Sequence, residues 1–390
     1  MEHKSSILEH PVLGRGFRPF FLLGAAYSAL MLLIWSAHYA GFITPPTFLL
    51  DTTSWHAHEM VYGYTMAIIA GFLLTAVANW TGGAPARHLH LLGLCALWIT
   101  GRIVINIDLG LPVWGVYLIA ASFIPALAIS LSIPLLKSRN KRNFVFLGLL
   151  TILCSAQITF FVQESRAALY VSIMIIMVMI SLIGGRVIPA FTVAALRKRG
   201  EEAFQIPQMK LDILALISLL ATAICLVILP NTIALFIAAL TATIIHILRM
   251  RHYHSLRTFS DPMLWILHVG FCWLILGLFL LALSGLSLIP VSIALHALTA
   301  GAIGSMTLGM MVRVSLGHTG RNLITTHMTF ISFIAMQISA ILRVFGVLMF
   351  PEISSYFIII STILWTLSFL IYLIIYTPML VKSRHDGQSV

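Results

Sequence analysis

Apolar runs long enough to cross a bilayer follow one another along nearly the whole chain, and this leaves few folds open. They lie near 20–44, 56–80, 89–107, 112–136, 144–162, 167–194, 211–229, 231–250, 262–288, 291–315, 324–349 and 353–381. An α-helix needs roughly 20 apolar residues to cross about 30 Å of hydrocarbon, where each backbone N–H and C=O must be satisfied within the segment. Barrel strands would alternate apolar and polar residues over about ten positions, and these runs do not. The expected fold is therefore all-α, a polytopic membrane protein built as a bundle of twelve transmembrane helices. With 60% hydrophobic and only 9% charged residues, a soluble domain and a disordered chain are both excluded. No stretch outside the runs is long enough for a second domain, and no internal repeat stands out, so residues 1–390 read as one integral membrane domain. Residues 1–19 carry charge but no separate short apolar core, so no removable signal peptide is expected.

Lysine and arginine set the orientation, because cytoplasmic loops collect them. One side holds Lys4, Arg15 and Arg18, then Lys137, Arg139, Lys141 and Arg142, then Arg197, Lys198, Arg199 and Lys210, then Arg249, Arg251 and Arg257 in the loop between helices eight and nine. Arg87, Arg321, Lys382 and Arg384 join them, whereas the opposite loops hold only Arg166. Both termini are expected in the cytoplasm. The net charge of +11 follows from this bias and from anionic headgroups near it, so the expected partner is the lipid bilayer and not nucleic acid. Cys95, Cys154, Cys225 and Cys272 fall on four different helices with no CxxC or CxxCH, which excludes attached c-type haem and a local cysteine cluster.

Ionisable residues inside the spans mark functional sites, because each costs at least about 2.5 kcal/mol in hydrocarbon. Counting about 1.5 Å per residue, they sort into two layers. Towards the outer face lie His38, His56, His58, Glu59, Arg102, His296 and Arg343; towards the cytoplasmic face lie Arg186, His246, His268, Arg313, His327 and His318. Helical rotation puts His56, Glu59, Met60 and Gly63 on one face and His58 with Tyr62 on another, so the two imidazoles should serve different partners. If the helix starts a turn later, His56 becomes a loop residue. Gly301, Ser305 and Gly309 form a small-residue stripe that admits a neighbouring helix or a flat cofactor. Gly184-Gly185-Arg186 followed by Pro189 should open helix six and free carbonyls beside Arg186.

A membrane haem b needs imidazoles from two helices, a slot of small residues and cations for its propionates. The outer layer offers His58 and His296 as axial ligands, Gly63, Ala67 and Gly301 as the slot, and Arg102 or Arg343 for the propionates. Arg186 and Arg313 are either further propionate partners or cations reaching for headgroups. A copper ion suits histidine beside thiol and thioether, as His56 with His38, or as His268 with Cys272 and Met310. Glu59 at the outer mouth is the natural proton donor, or the partner that orients a ligand.

Several stretches resemble the NnrS family over essentially the whole chain. They are Gly16-Phe17-Arg18-Pro19-Phe20-Phe21, the segment 55–60 with Tyr62-Gly63, Gly71-Phe72-Leu73-Leu74-Thr75-Ala76-Val77 with Asn79-Trp80-Thr81-Gly82, and Gly185-Arg186-Val187-Ile188-Pro189-Ala190-Phe191-Thr192. The longest runs from Leu295-His296-Ala297 through Gly304 and is continued by Met311-Val312-Arg313-Val314-Ser315-Leu316-Gly317-His318-Thr319-Gly320-Arg321. The resemblance implies a twelve-helix bacterial inner-membrane protein with haem and copper, linked to denitrification and nitric oxide resistance. It makes His56, His58, Glu59, His268, His296 and His318 the strongest site residues, with nitric oxide as ligand and a respiratory electron donor as partner. Many members of the family also carry a histidine late in helix five, where this chain has Gln157, Phe160 and Phe161. Two other classes compete with this reading. A secondary transporter fits twelve helices and a broken helix six, although transporters place ion sites near the midplane and the charges here avoid it. In a membrane scaffold the histidines would be merely hydrogen-bonded.

Overall fold

The computed structural model describes residues 7–387, so Lys4 lies outside the described residues. Among the described residues there is no strand, and twelve helices are long and apolar enough to span a membrane. They are α1 (Phe17–Tyr39), α2 (Thr52–Thr81), α3 (His88–Asn106), α4 (Val113–Lys137), α5 (Lys141–Gln163), α6 (Arg166–Lys198), α7 (Met209–Ile228), α8 (Ile233–Met250), α9 (Pro262–Gly285), α10 (Val291–His318), α11 (His327–Met349) and α12 (Pro351–Leu380). The expected spans are met within a few residues at most ends.

Two boundaries change the reading of a residue. Asp51 caps α2 by accepting from the backbone N–H groups of Thr53 at 3.0 Å and Ser54 at 3.2 Å, which satisfies donors that a helix start leaves free. The helix thus begins a turn before residue 56, and His56 lies inside it. Arg249, expected in a loop, belongs to α8 and is buried. Helix α6 also differs from expectation, because it runs unbroken through Pro189 for 33 residues.

The described chain divides into two compact units. The first holds residues 1–172, 311–324 and 369–390; the second holds 173–310 and 325–368. In the first, glycines let α1 and α2 meet at backbone distance: a Cβ on Gly24 would lie 2.5 Å from Ile68, and one on Gly71 would lie 2.9 Å from Phe21. In the second, α9 and α10 meet in the same way, with Leu298 over Gly277 and Met306 over Gly270.

Backbone irregularity is confined to particular helices. Helix α2 is π-helical over Glu59–Thr65, α10 over Ala297–Ile303 and α11 over Leu342–Gly346. Each such segment holds an extra residue per turn and gives up regular hydrogen bonding, which is why π segments gather at functional sites. A recurrence that the sequence reading missed is visible as well. Helices α1, α2, α6 and α10 are each followed within two residues by a glycine in the left-handed region, Gly41 at φ 79°, Gly82 at φ 65°, Gly200 at φ 79° and Gly320 at φ 73°, the conformation that lets the chain close a helix and turn away.

Candidate functional site

The second span is the most enclosed of the twelve, with 83% of its apolar window buried, and it carries a carboxylate with no exposure at all, Glu59. A buried carboxylate survives only with good partners. Oε1 of Glu59 accepts from Arg102 Nη1 at 2.7 Å and from His58 Nδ1 at 2.6 Å. Oε2 accepts from the Tyr27 hydroxyl and from Asn106 Nδ2, the latter at 3.2 Å. Asn106 is fixed in turn, because its amide also donates to Tyr27 and to the Arg102 carbonyl while its oxygen accepts from Trp55 Nε1 at 2.9 Å. Three helices therefore converge on one acid.

His58 is the residue this acid orients. With Nδ1–H directed to a carboxylate, Nε2 carries the lone pair, and it faces the Gln157 amide nitrogen of α5 at 3.2 Å. That tautomer is the one a metal-binding imidazole uses, with a carboxylate behind it. Gln157 holds its place weakly. Its amide reaches the Ala120 carbonyl at 3.4 Å, and its Oε1 is buried with no partner among the described residues. Tyr62, Phe160 and Phe161 pack their rings 5.0, 5.7 and 5.0 Å from the imidazole, which keeps water from it.

The other expected residues have other neighbours. His56 stacks on Trp35 with centroids 4.1 Å apart and 12° between planes, so the two imidazoles of α2 do serve different partners. Glu59, expected on the His56 face, bonds to His58 instead. His296, in the second unit, directs Nδ1 to its own Ser292 carbonyl at 2.6 Å, and its Nε2 accepts from Arg343 at 2.9 Å. A guanidinium therefore occupies the lone pair that an axial ligand would need. His268 is buried between two hydroxyls, Thr192 at 2.9 Å and Ser255 at 3.0 Å, while the Cys272 thiol turns to the Met250 thioether at 3.8 Å. His318 accepts through Nδ1 from Arg15 Nη1 at 3.3 Å, so that nitrogen's lone pair faces a cation. Arg186 and Arg313 are half-buried in α6 and α10.

The expected slot of small residues is not formed by the glycines named for it. A Cβ on Gly63 would meet Tyr27 at 2.6 Å and one on Gly301 would meet Trp273 at 2.4 Å, so aromatic side chains already fill both faces. Ala67 packs against Gly24 of α1 at 3.3 Å from the position of a Cβ there. Nor do three histidine, cysteine or carboxylate side chains come together as a metal-holding group among the described residues. A different arginine meets a carbonyl of α6, that of Ser181. Arg249 donates through Nη1 to the Ser181 carbonyl and hydroxyl at 3.0 and 2.9 Å and through Nε to Asp212 at 2.7 Å.

Sequence reasoning missed Tyr27, Asn106 and Arg249 altogether. Tyr27 and Asn106 each look ordinary in a helix, and only the fold shows that both reach the same oxygen. Arg249 sits in a basic run whose composition mimics a loop.

Taken together, these features define a polytopic membrane protein in which a buried histidine and glutamate of its most enclosed helix meet an arginine of the next. The family model described as NnrS protein matches residues 11–384. The chain belongs to the NnrS family. No curated protein matches it.

Proposed function

We propose that the chain is an inner-membrane protein with both termini cytoplasmic that holds a redox metal through His58 and acts on nitric oxide. Haem iron and copper are the groups its family resemblance implies. The observation that carries this reading is the pairing of His58 Nδ1 with the buried Glu59 carboxylate at 2.6 Å, which leaves Nε2 as a lone-pair donor towards a replaceable amide. The donor chemistry at His58 fits one imidazole ligand to a metal. The faces of Gly63 and Gly301, filled by Tyr27 and Trp273, do not fit a haem ring.

The bound metal would supply the coordination position for nitric oxide and the route for electrons. The protein groups do the rest. Glu59 fixes the imidazole tautomer and ring angle. Arg102 and Asn106 hold the carboxylate in one rotamer, and the Tyr27 hydroxyl on Oε2 gives Glu59 a neighbour with which it can exchange a proton. Phe160 and Phe161 exclude water, which strengthens each of these contacts.

Metal analysis and optical and paramagnetic spectra of the detergent-purified protein, prepared with haem and copper both supplied, test the reading. We expect His58→Ala to lose the bound metal and its nitric oxide-sensitive spectrum, while His296→Ala keeps both. Unchanged metal content and spectrum in a folded His58→Ala variant would remove His58 as the ligand.

A further inference from the structure

One end of the first unit gathers basic side chains that the metal reading leaves unused. Arg18, at the start of α1, is wholly buried. Its Nη1 donates to the carbonyls of Leu380 at 2.8 Å and Lys382 at 2.6 Å, where α12 ends. Its Nε and Nη2 are buried with no partner among the described residues. Phe17 joins it to the end of α10, lying 5.9 Å from the Arg18 guanidinium and 5.6 Å from the His318 ring.

Further cations close around this point. His318 Nδ1 accepts from Arg15 Nη1, and Arg15 Nε is another buried donor without a partner. Arg384 donates to the His318 carbonyl at 3.3 Å, and Arg321 donates to the Thr319 carbonyl at the same distance. The charges that act on Arg18 are those of Arg15, Arg321 and Arg384. The carboxylate at hand, Asp386, is already bridged by Arg384 at 2.6 Å. Burial and the Arg384 charge hold the Arg15 guanidinium below its ordinary pKa.

Such an arrangement is costly as it stands. Each buried donor left unmade costs about 1–3 kcal/mol, and converging guanidinium groups repel one another. An anion with oxygens on several sides removes both costs together. We propose that this basin binds a phosphate group, either as free phosphate or as the headgroup of an anionic phospholipid.

Two features favour phosphate over a carboxylate. Cationic groups come from three separate chain segments and so from several directions, which suits a tetrahedral dianion, whereas a planar carboxylate fills one guanidinium fork. The basin also lies where α1 starts and α10 and α12 finish, the level at which spanning helices leave hydrocarbon for the headgroup layer. It shares no residue with the His58 centre and stands or falls apart from it. It also accounts for two sequence motifs that the metal reading leaves idle, the stretch 16–21 and the end of the stretch 311–321.

The full-length protein in phosphatidylcholine nanodiscs is the object to test. Inorganic phosphate is titrated at constant ionic strength against a sodium chloride control, and phosphatidylglycerol is added in a parallel series; the readouts are the thermal midpoint and lipids retained in native mass spectra. A saturable rise with inorganic phosphate identifies a free anion. A rise with phosphatidylglycerol alone, with one lipid retained, identifies a headgroup. Either supports the site, provided that Arg321→Gln, and Arg18→Gln where it folds, weakens the response about tenfold, the loss of one hydrogen bond to a charged group. Arg321 is half-exposed, so its variant carries the test if Arg18→Gln fails to fold. No rise in either series, or wild-type binding in Arg321→Gln, overturns the proposal.

Discussion

Removing Arg102 tests whether Glu59 is held by charge or by ordinary polar contacts. The two side chains meet at 2.7 Å, with 7% and 0% of their surfaces exposed. Polar contacts between membrane helices average about 0.6 kcal/mol and reach about 1.7, whereas removing one partner of a buried ion pair costs about 3–5 kcal/mol because the other charge is left uncompensated. In Arg102→Met the carboxylate keeps His58, Tyr27 and Asn106 as hydrogen-bond donors, so the lower end, about 3 kcal/mol, is expected. In the double variant Glu59→Gln with Arg102→Met no charge remains, and the loss should fall to about 1 kcal/mol.

Reversible unfolding by sodium dodecyl sulfate in mixed micelles, followed by tryptophan fluorescence, reads these differences. Trp55 and Trp98 touch the site, through Asn106 and through the Gly63 carbonyl, so they report on it directly. A loss below about 1 kcal/mol in Arg102→Met would place the contact in the ordinary polar class. A double variant as unstable as the two single losses added together would show no coupling. Either result would refute the argument that charge pairing holds the centre.

Three further outcomes follow from individual contacts. Gly185→Ala should destabilise by at least about 1–3 kcal/mol through overpacking, because its Cβ would lie 1.7 Å from the pinned Arg249 guanidinium, while Gly184→Ala, whose nearest neighbour is at 3.4 Å, should be neutral or stabilising by up to about 1 kcal/mol; equal effects in the same unfolding assay would contradict this. Burial works against the Asp51 carboxylate, but hydrogen bonds from Ser54 and Thr53 outweigh it and hold its pKa below the ordinary 3.8. Its contribution is therefore present at neutral pH and lost as pH falls through that lowered value: Asp51→Ala should cost about 1 kcal/mol at pH 7, and the gap to wild type should narrow below about pH 4, so a gap independent of pH would exclude the charged cap. Gln157→His would set a second imidazole against His58 Nε2 and should raise copper affinity by about tenfold or more, measured by chelator competition; unchanged affinity would mean that the two positions do not share a metal.

Most of the fold could be read from the chain, because in hydrocarbon a long apolar run has one available structure and its length fixes the count. The acid and histidine of the site could be read for a related reason: Glu59 and His58 are conspicuous where charge is expensive. What could not be read is how helices turn their faces. The expectation that Glu59 joins His56 takes a shared helix face for a shared contact, whereas the Glu59 side chain bends to the Nδ1 of its neighbour His58 and His56 stacks on Trp35. The slot reading failed differently. A glycine stripe states only that something comes close, and at Gly63 and Gly301 that something is Tyr27 and Trp273. Arg249 shows a third limit, since a cation near a helix end looks the same whether it reaches solvent or turns inward to a single aspartate.

The π segments connect these points. In α2 the segment begins directly after His58, and in α10 directly after His296; the third, in α11, contains Arg343, whose guanidinium reaches His296. Irregular backbone inside hydrocarbon frees carbonyls that need donors, and Thr65 meets one such need by donating to the Met60 carbonyl five residues back, at 2.8 Å. Distortion is thus concentrated on turns where a histidine meets the carboxylate beside it or a guanidinium on a neighbouring helix. Each π segment also holds a tightly packed glycine, Gly63, Gly301 or Gly346, but packing alone does not account for the distortion, because Gly24, Gly71, Gly270 and Gly277 all permit close helix contact within regular α-helix. The sites of backbone cost therefore coincide with polar chemistry as well as with tight packing. That coincidence is the physical reason for treating the His58 turn as the working part of the molecule.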